Sequence, residues 1–379
     1  MLAATVFGFA GYALLLPVVP LWAARGGSGE LGAGATTGVL MLATVATQLG
    51  VPWLLARWGY RFVLGAGMVL LGAPTPLFAL STDLVAVLAI SAVRGVGFGM
   101  LTVAGSALVA ELVPRAEHGR AAARYGFAVG APQLVLLPAG VAVAERLGFT
   151  VVFAVAGAAP LLGALLVPLI RAERHDRPGA EPVAPAVAVA GEPGAGLRRH
   201  AVGPVLAMLT CSTAQGGLIT FLPLAVANPG LLVPLALLAT GSGALLGRWL
   251  AGELVDRRGM GGRLLVPGML LAAAGMLAEL LAVGGAGAPA ATALVGGAAA
   301  VGVGFGVVQN DSLVALFTAG GAQRYGTASA IWNIAYDAGT GAGAVGLGAV
   351  AEPYGFRTAF GTAALLLVLA VPAARPRRG

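Results

Sequence analysis

Two charged residues lie deep inside long apolar stretches of this chain. Arg94 stands ten residues after Leu84, where one such stretch begins, and Asp337 stands thirteen residues after Arg324 in another. A bare charge in that position costs about 3 kcal/mol or more on membrane-insertion scales, so its presence calls for a reason. A carboxyl at that depth can take a proton from one side and release it to the other, which makes Asp337 the candidate for proton coupling. Arg94 can bind an anionic substrate or serve as the partner of a proton carrier. It can equally be a structural guanidinium packed against backbone carbonyls.

Polar neighbours extend the set. Asn333 precedes Asp337 by four residues and shares its helical face, and Tyr336 is adjacent in sequence. Gln309, Asn310 and Asp311 form a second polar cluster, with Asp311 closest to a helix end. Gln215 and Gln133 are amides in the middle of apolar runs. Each of these can line a substrate cavity, and each can instead hold helices together. Glu279 falls near a helix end and is expected to reach the membrane interface, and Glu111 is expected in a loop. His118, His175 and His200 all fall between apolar runs and form no metal-ligand pattern. The chain has no Lys, so it has no Gly-x4-Gly-Lys phosphate loop. Its single Cys, Cys211, cannot form an internal disulfide. No cofactor is expected, and an enzyme is the least favoured class.

The elements that must position these residues follow from composition. Of the residues, 58% are hydrophobic and only 10% charged, which is too little charge to cover a soluble surface of this size. Mean hydropathy is +0.92, so lipid must be part of the solvent. A spanning helix needs about 20 mostly apolar residues. Twelve are expected, over roughly 4–24, 34–56, 62–80, 84–110, 122–144, 149–170, 204–226, 231–251, 264–283, 290–314, 325–349 and 357–373. Pro17, Pro20, Pro132, Pro138 and Pro223 fall inside them, which a helix bundle tolerates where neighbours satisfy the freed backbone.

Placing the arginines orients the chain. With both termini in the cytoplasm, only Arg25, Arg146 and Arg357 fall outside and Arg94 within a span. All other arginines fall on inner loops, inner helix ends or the C-terminal tail, Arg248 among them. The net charge of +7 is therefore read as positive-inside topology rather than as nucleic-acid binding. A Pro-, Gly- and Ala-rich charged stretch at 171–203 reads as a cytoplasmic linker. It separates a six-helix bundle at 1–170 from another at 204–379.

The two blocks repeat one another. Gly95-Val96-Gly97-Phe98-Gly99 recurs as Gly302-Val303-Gly304-Phe305-Gly306, and Arg124-Tyr125-Gly126 as Arg324-Tyr325-Gly326. Glu145, Gly148, Phe149 and Phe153 match Glu352, Gly355, Phe356 and Phe360. Arg57 and Gly59 match Arg257 and Gly259. An even number of spans per block gives both the same orientation, the parallel-repeat case.

On these residues the chain resembles the major facilitator superfamily along nearly its whole length. Gly252-Glu253-Leu254-Val255-Asp256-Arg257-Arg258-Gly259 is similar to that family's short loop motif. The first block keeps Arg57, Gly59 and Arg61, but has Pro52 and Ala56 where the motif has Gly and Asp. Arg94 with Gly97 and Gly99 resembles the family's fourth-helix Arg-Gly motif. Gly126, Gly130, Pro132 and Gly140 resemble its Gly-Pro motif of antiporters in degraded form. The resemblance implies an all-α membrane fold of two pseudo-symmetric six-helix bundles and alternating access by rocking. It also implies a cavity lined mainly by the first, fourth, seventh and tenth helices. Gly252, Asp256, Arg257, Gly259, Arg57, Gly59 and Arg61 are then candidates for a cytoplasmic gate. Asp256 would bond a nearby Arg or cap a helix N-terminus, unless it is a solvated loop charge that only sets topology.

The overall look is closest to bacterial efflux members, although the first span lacks the acid that drug antiporters often carry there. The expected function is export of a small organic molecule across the cell membrane in exchange for protons. Proton-driven nutrient uptake is the nearest alternative, and a non-transporting membrane sensor the next. The expected partners are a small-molecule substrate, protons and lipid, with no nucleic acid and the chain acting as a monomer.

Overall fold

The computed structural model describes residues 1–112, 118–170, 195–226, 230–320 and 325–375. Within them the chain is helical throughout. The helices are α1 (Leu2–Leu15), α2 (Val18–Arg25), α3 (Gly29–Gly72), α4 (Leu84–Leu112), α5 (His118–Leu147), α6 (Phe149–Leu166), α7 (Ala195–Ala225), α8 (Leu232–Arg258), α9 (Leu265–Ala282), α10 (Gly287–Gly320) and α11 (Tyr325–Ala374). Among the described residues, ten continuous helical segments are long and apolar enough to cross a membrane.

Several boundaries differ from the hydropathy reading. The first expected span is interrupted between α1 and α2, at Leu16 and Pro17. Within α3 the second and third expected spans meet at Gly59, whose non-helical backbone (φ 74°, ψ 167°) separates two helices. The third ends at Gly72, and Thr75–Leu80 is a short 3-10 helix. Within α11 the last two expected spans meet in the same way at Gly355 (φ 80°, ψ 166°). Positive φ at these positions requires glycine, because a Cβ there strains the backbone. Helix α7 starts at Ala195, nine residues before the expected start, and the rest of the expected linker lies outside the described residues.

The chain divides into two compact units. Unit 1 comprises Met1–Val19 and Val39–Val189; unit 2 comprises Pro20–Gly38 and Ala190–Gly379. In unit 1, α1 packs against α5 and α6, where a Cβ on Gly11 would collide with Pro160 and Ala156 and one on Gly140 with the Leu14 carbonyl. In unit 2, α11 packs along α7, and α10 lies against both α8 and α9.

The repeated Gly-Val-Gly-Phe-Gly segment has one structural meaning in both units. Gly95 and Gly99 on α4 lie against the carbonyls of Leu40 and Thr44 on α3, and Gly97 lies against Gly67. In unit 2, Gly302 and Gly306 on α10 lie against the carbonyls of Thr240 and Ala244 on α8, and Gly304 against Gly268 on α9. A Cβ at any of the six would fall well inside van der Waals contact. With little gain from burying apolar surface away from lipid, such close backbone approach is how helices associate in a bilayer.

Outside these contacts the helices carry bare Leu and Val, such as Leu42, Leu80, Val85 and Leu165, each more than two-thirds exposed. In water such a surface would be an aggregation hazard, whereas in a bilayer it is the lipid face.

Candidate functional site

In unit 1 the question is what satisfies Arg94. Its side chain is 1% exposed. Nε donates to the Leu71 carbonyl on α3 at 3.2 Å, and Nη2 donates to the Gly11 carbonyl on α1 at 3.2 Å. The guanidinium carbon stands 5.7 Å from the Phe78 ring centroid, where the ring face attracts a cation. Among the described residues no carboxylate lies within ion-pair distance of it. This geometry matches the packing alternative, in which Arg94 joins three helices through carbonyl dipoles. Beside it, Tyr12 and Phe98 stack at 4.0 Å between centroids, with Phe9 edge-on to both. Gln133 spends its amide on its own helix, donating to Val129 O at 3.2 Å.

Unit 2 gathers most of the other expected site residues. Asp337 is buried on α11, 3% exposed. Tyr336 stacks on Trp332 at 6.1 Å between ring centroids and meets Phe305 of α10 at 5.8 Å. The indole Nε1 of Trp332 donates to Ser312 Oγ at 3.0 Å, which fixes that ring on α10. Asn333 donates to the Ser329 carbonyl one turn back at 2.8 Å. Gln309, Asn310, Asn333 and Tyr336 are all half-buried. Gln215 on α7 is 9% exposed, and no hydrogen bond orients it among the described residues.

Arg248 on α8 is a further half-buried polar residue of unit 2. Helix α8 continues to Arg258 rather than stopping near 251. Arg248 therefore sits about 15 Å along the axis before the helix end, at 1.5 Å per residue. Asp337 directly follows Tyr336 on α11, and the Arg248 amide lies against Gly306, the neighbour of Phe305.

Two other carboxyls differ from expectation. Asp311 is fully buried. Its Oδ1 accepts from Gly262 N–H at 2.7 Å and its Oδ2 from Leu264 N–H at 2.8 Å, just ahead of α9. It thus caps the N-terminus of α9, where the helix dipole favours a negative charge. Glu279 does not reach an interface: it is 0% exposed and lies over Gly297 of α10. Neither of its oxygens has a hydrogen-bond partner among the described residues.

The loop motif is more open. Asp256 is exposed and makes no hydrogen bond or ion pair among the described residues, so the cap on α9 comes from Asp311 instead. Arg257 Nε pairs with Glu253 Oε2 at 2.5 Å on the exposed face of α8, a contact worth little in water. Gly259 ends α8 in a left-handed conformation (φ 61°, ψ 34°), and Gly252 stands in open space. In unit 1, Arg61 donates to the Ile170 carbonyl, while Arg57 is exposed beside Gly59.

Near the middle of α11, just before Gly355, Glu352 Oε2 accepts from Leu31 N–H at 2.8 Å, capping the start of α3. Gly34 and Gly38 of α3 pack on Ala344 and Val345 of α11. This contact groups Pro20–Gly38 with unit 2.

A family model described as Major Facilitator Superfamily matches residues 1–344. No curated protein matches the chain. Among solved structures it is similar to a bacterial homolog of the human lysosomal transporter Spinster in an inward-facing, occupied conformation. That match has 15% identity and a TM-score of 0.75, and covers 98% of this chain and 94% of that one. The unoccupied inward-facing form of the same homolog matches with 16% identity and a TM-score of 0.74, at the same coverage. The nucleoside transporter NupG matches with 13% identity and a TM-score of 0.72, covering 98% of this chain and 97% of that one. At these identities the structures establish the fold.

Proposed function

The chain belongs to the Major Facilitator Superfamily, and on that premise we propose that it is a proton-coupled secondary transporter of a small organic molecule. It works by alternating access, through twelve spans in two six-helix bundles. Gly59 and Gly355 each serve as a turn between two spans. Both termini lie in the cytoplasm, and the chain acts as a monomer in the cell membrane. Arg57, Gly59, Arg61, Gly252, Asp256, Arg257 and Gly259 form the cytoplasmic gate, with Asp311 anchoring the loop after α8.

The observation that carries this reading is Asp337, a buried acid on the helix that also bears half-buried Asn333 and Tyr336, with half-buried Gln309 and Asn310 on α10. A carboxyl there changes its surroundings whenever the two sides of the membrane exchange access, and a proton equilibrium follows such a change. Arg94 supports the transport cycle by holding α1, α3 and α4 together rather than by meeting substrate. Gln133 and Gln215 complete the polar set on α5 and α7.

Export in exchange for protons applies where a neutral or cationic substrate displaces the proton from Asp337. A second reading, co-transport with protons, is favoured by Arg248. An anionic substrate at that guanidinium adds negative charge to the face that carries Asp337, which favours the protonated carboxyl, so anion and proton bind together. Reconstituted vesicles with an imposed pH gradient test both. Substrate movement against the proton flux means exchange, and movement with it means co-transport. Wild-type vesicles in which no compound of a broad panel responds to the gradient would remove the proposal.

A further inference from the structure

Among the described residues Arg248 makes no hydrogen bond and no ion pair, although it is half-buried and stands ten residues before the end of α8. Arg94, its nearest analogue, is satisfied by two carbonyls and a ring. A guanidinium at membrane depth is costly unless paired, so one left open at the level of a binding face points to a partner that comes and goes.

The face on which it stands is distinct from the lipid face. On α8, Leu245, Leu246 and Trp249 are exposed, at 43%, 49% and 62%. Gly243, Gly247 and Ala251 are buried, with Gly243 and Gly247 against α10. Arg248 falls on a third stripe with Gly241, Ala244, Gly252 and Val255, all half-buried. Small side chains there leave room around the guanidinium. Its own backbone is fixed, because Gly306 of α10 packs directly on the Arg248 amide. The neighbour of that glycine, Phe305, meets Tyr336, which stacks in turn on Trp332. Glycine packing thus fixes the Arg248 backbone against the residue that follows Phe305, the first of three rings in contact. Of the acids near this group, Asp311 is committed to Gly262 and Leu264, which leaves Asp337 as the acid beside Tyr336.

We propose that Arg248 and the Phe305–Tyr336–Trp332 wall form an anion subsite on unit 2 that takes the carboxylate of a planar aromatic organic acid. The guanidinium receives the carboxylate through paired N–H donors, and the ring system lies along Tyr336. This rests on the transporter reading in its co-transport form, and it names the substrate class.

The probes are 1-naphthoate and its neutral isostere 1-naphthamide, titrated calorimetrically onto the purified full-length protein in detergent. Naphthoate is expected to bind at least tenfold more tightly than naphthamide. Arg248→Gln is expected to abolish that preference and Arg248→Lys to keep part of it. Cyclohexanecarboxylate, which lacks the flat ring, is expected to bind several-fold more weakly than naphthoate. Inorganic phosphate is expected to compete poorly, and tighter binding of phosphate than of naphthoate would overturn the assignment to an aromatic carboxylate. Equal affinity for naphthoate and naphthamide, or an unchanged preference in Arg248→Gln, would overturn the subsite. Should Arg248→Gln not yield folded protein, the wild-type comparison and Arg248→Lys still decide. The transporter reading is separated by vesicles under a pH gradient. If neutral compounds move while naphthoate does not bind, only the subsite falls. If naphthoate binds through Arg248 and nothing moves, the subsite stands and the transporter reading falls.

Discussion

Asp311 on α10 holds the backbone N–H of Leu264 at 2.8 Å, and with it the first turn of α9. The loop after α8 is therefore anchored by a residue 47 positions further along the chain, while Asp256, in the last turn of α8, stands in the open. Removing a capping carboxylate costs about 0.5–2 kcal/mol. Asp311→Ala is expected to lower the thermal midpoint in detergent by several degrees, and Asp256→Asn to leave it unchanged. Equal midpoints for Asp311→Ala and wild type would refute the anchor.

Asp256 retains one possible role, as a gate residue in transport. Asp256→Asn is then expected to reduce initial transport rates without touching stability, while Ala56→Asp in the matching loop is tolerated. Wild-type rates in both variants would take Asp256 out of the gate.

Asp337→Asn preserves shape and polarity and removes the titrating group. Uphill, gradient-driven transport is expected to disappear, while substrate binding or downhill exchange remains in part. The measurement is transport into vesicles with and without an imposed pH gradient. Wild-type accumulation by the variant would make Asp337 structural.

The glycine contacts predict a sharp positional contrast on one helix. Gly302→Leu and Gly306→Leu place side chains against the carbonyls of Thr240 and Ala244, whereas a Cβ on Gly296 meets nothing within 4 Å. The first two are expected to abolish a monodisperse peak in size-exclusion chromatography, and Gly296→Ala to give wild-type yield. Tolerance of a leucine at position 306 would contradict the packing.

Glu279 is expected to be a burden on stability. Leaving a buried polar group unpaired costs about 1–3 kcal/mol. Glu279→Leu is therefore expected to raise the thermal midpoint, with transport unchanged. A lower midpoint would mean that its carboxyl has a partner outside the described residues, and loss of transport alone would mark it as functional.

Topology is tested with single cysteines at Ala180 and Ala286, labelled on intact cells with an impermeant thiol reagent. Cys211 is buried, 1% exposed, so Cys211→Ala serves only as a precaution. Position 286 is expected to label and position 180 to stay silent. The reverse pattern would overturn the orientation.

Much of the frame was legible before any coordinates. The recurring Gly-Val-Gly-Phe-Gly segment marked equivalent places in the two blocks, and both copies prove to be the same helix-to-helix contact. Gly59 and Gly259 pair by their spacing, and both have positive φ at the point where a helix stops. The site was less legible, for a physical reason. Hydropathy ends a span where charges begin, yet α8 runs seven residues past the expected end at 251. Charge alone reads Arg248 as an inner helix end, and only the packed α8–α10 pair shows its backbone next to Phe305. The partners of Arg94 and Asp311 are backbone groups far away in sequence, which no pattern of side chains announces. Glu279 was misplaced because charge near a helix end usually means exposure, and the close approach of Gly297 that seals it in is a property of the packed pair.

The meshing of glycine with carbonyl also limits how this molecule can deform. Two helices whose backbones interlock once per turn cannot glide past each other smoothly. A sliding displacement would have to jump a full pitch, about 5.4 Å, before the teeth met again. The α3–α4 and α8–α10 pairs are thus stiff against shear, like racks with their cogs engaged. Any cyclic motion must pass through them as rolling of whole slabs, with the bending confined to stretches where no such cogs exist.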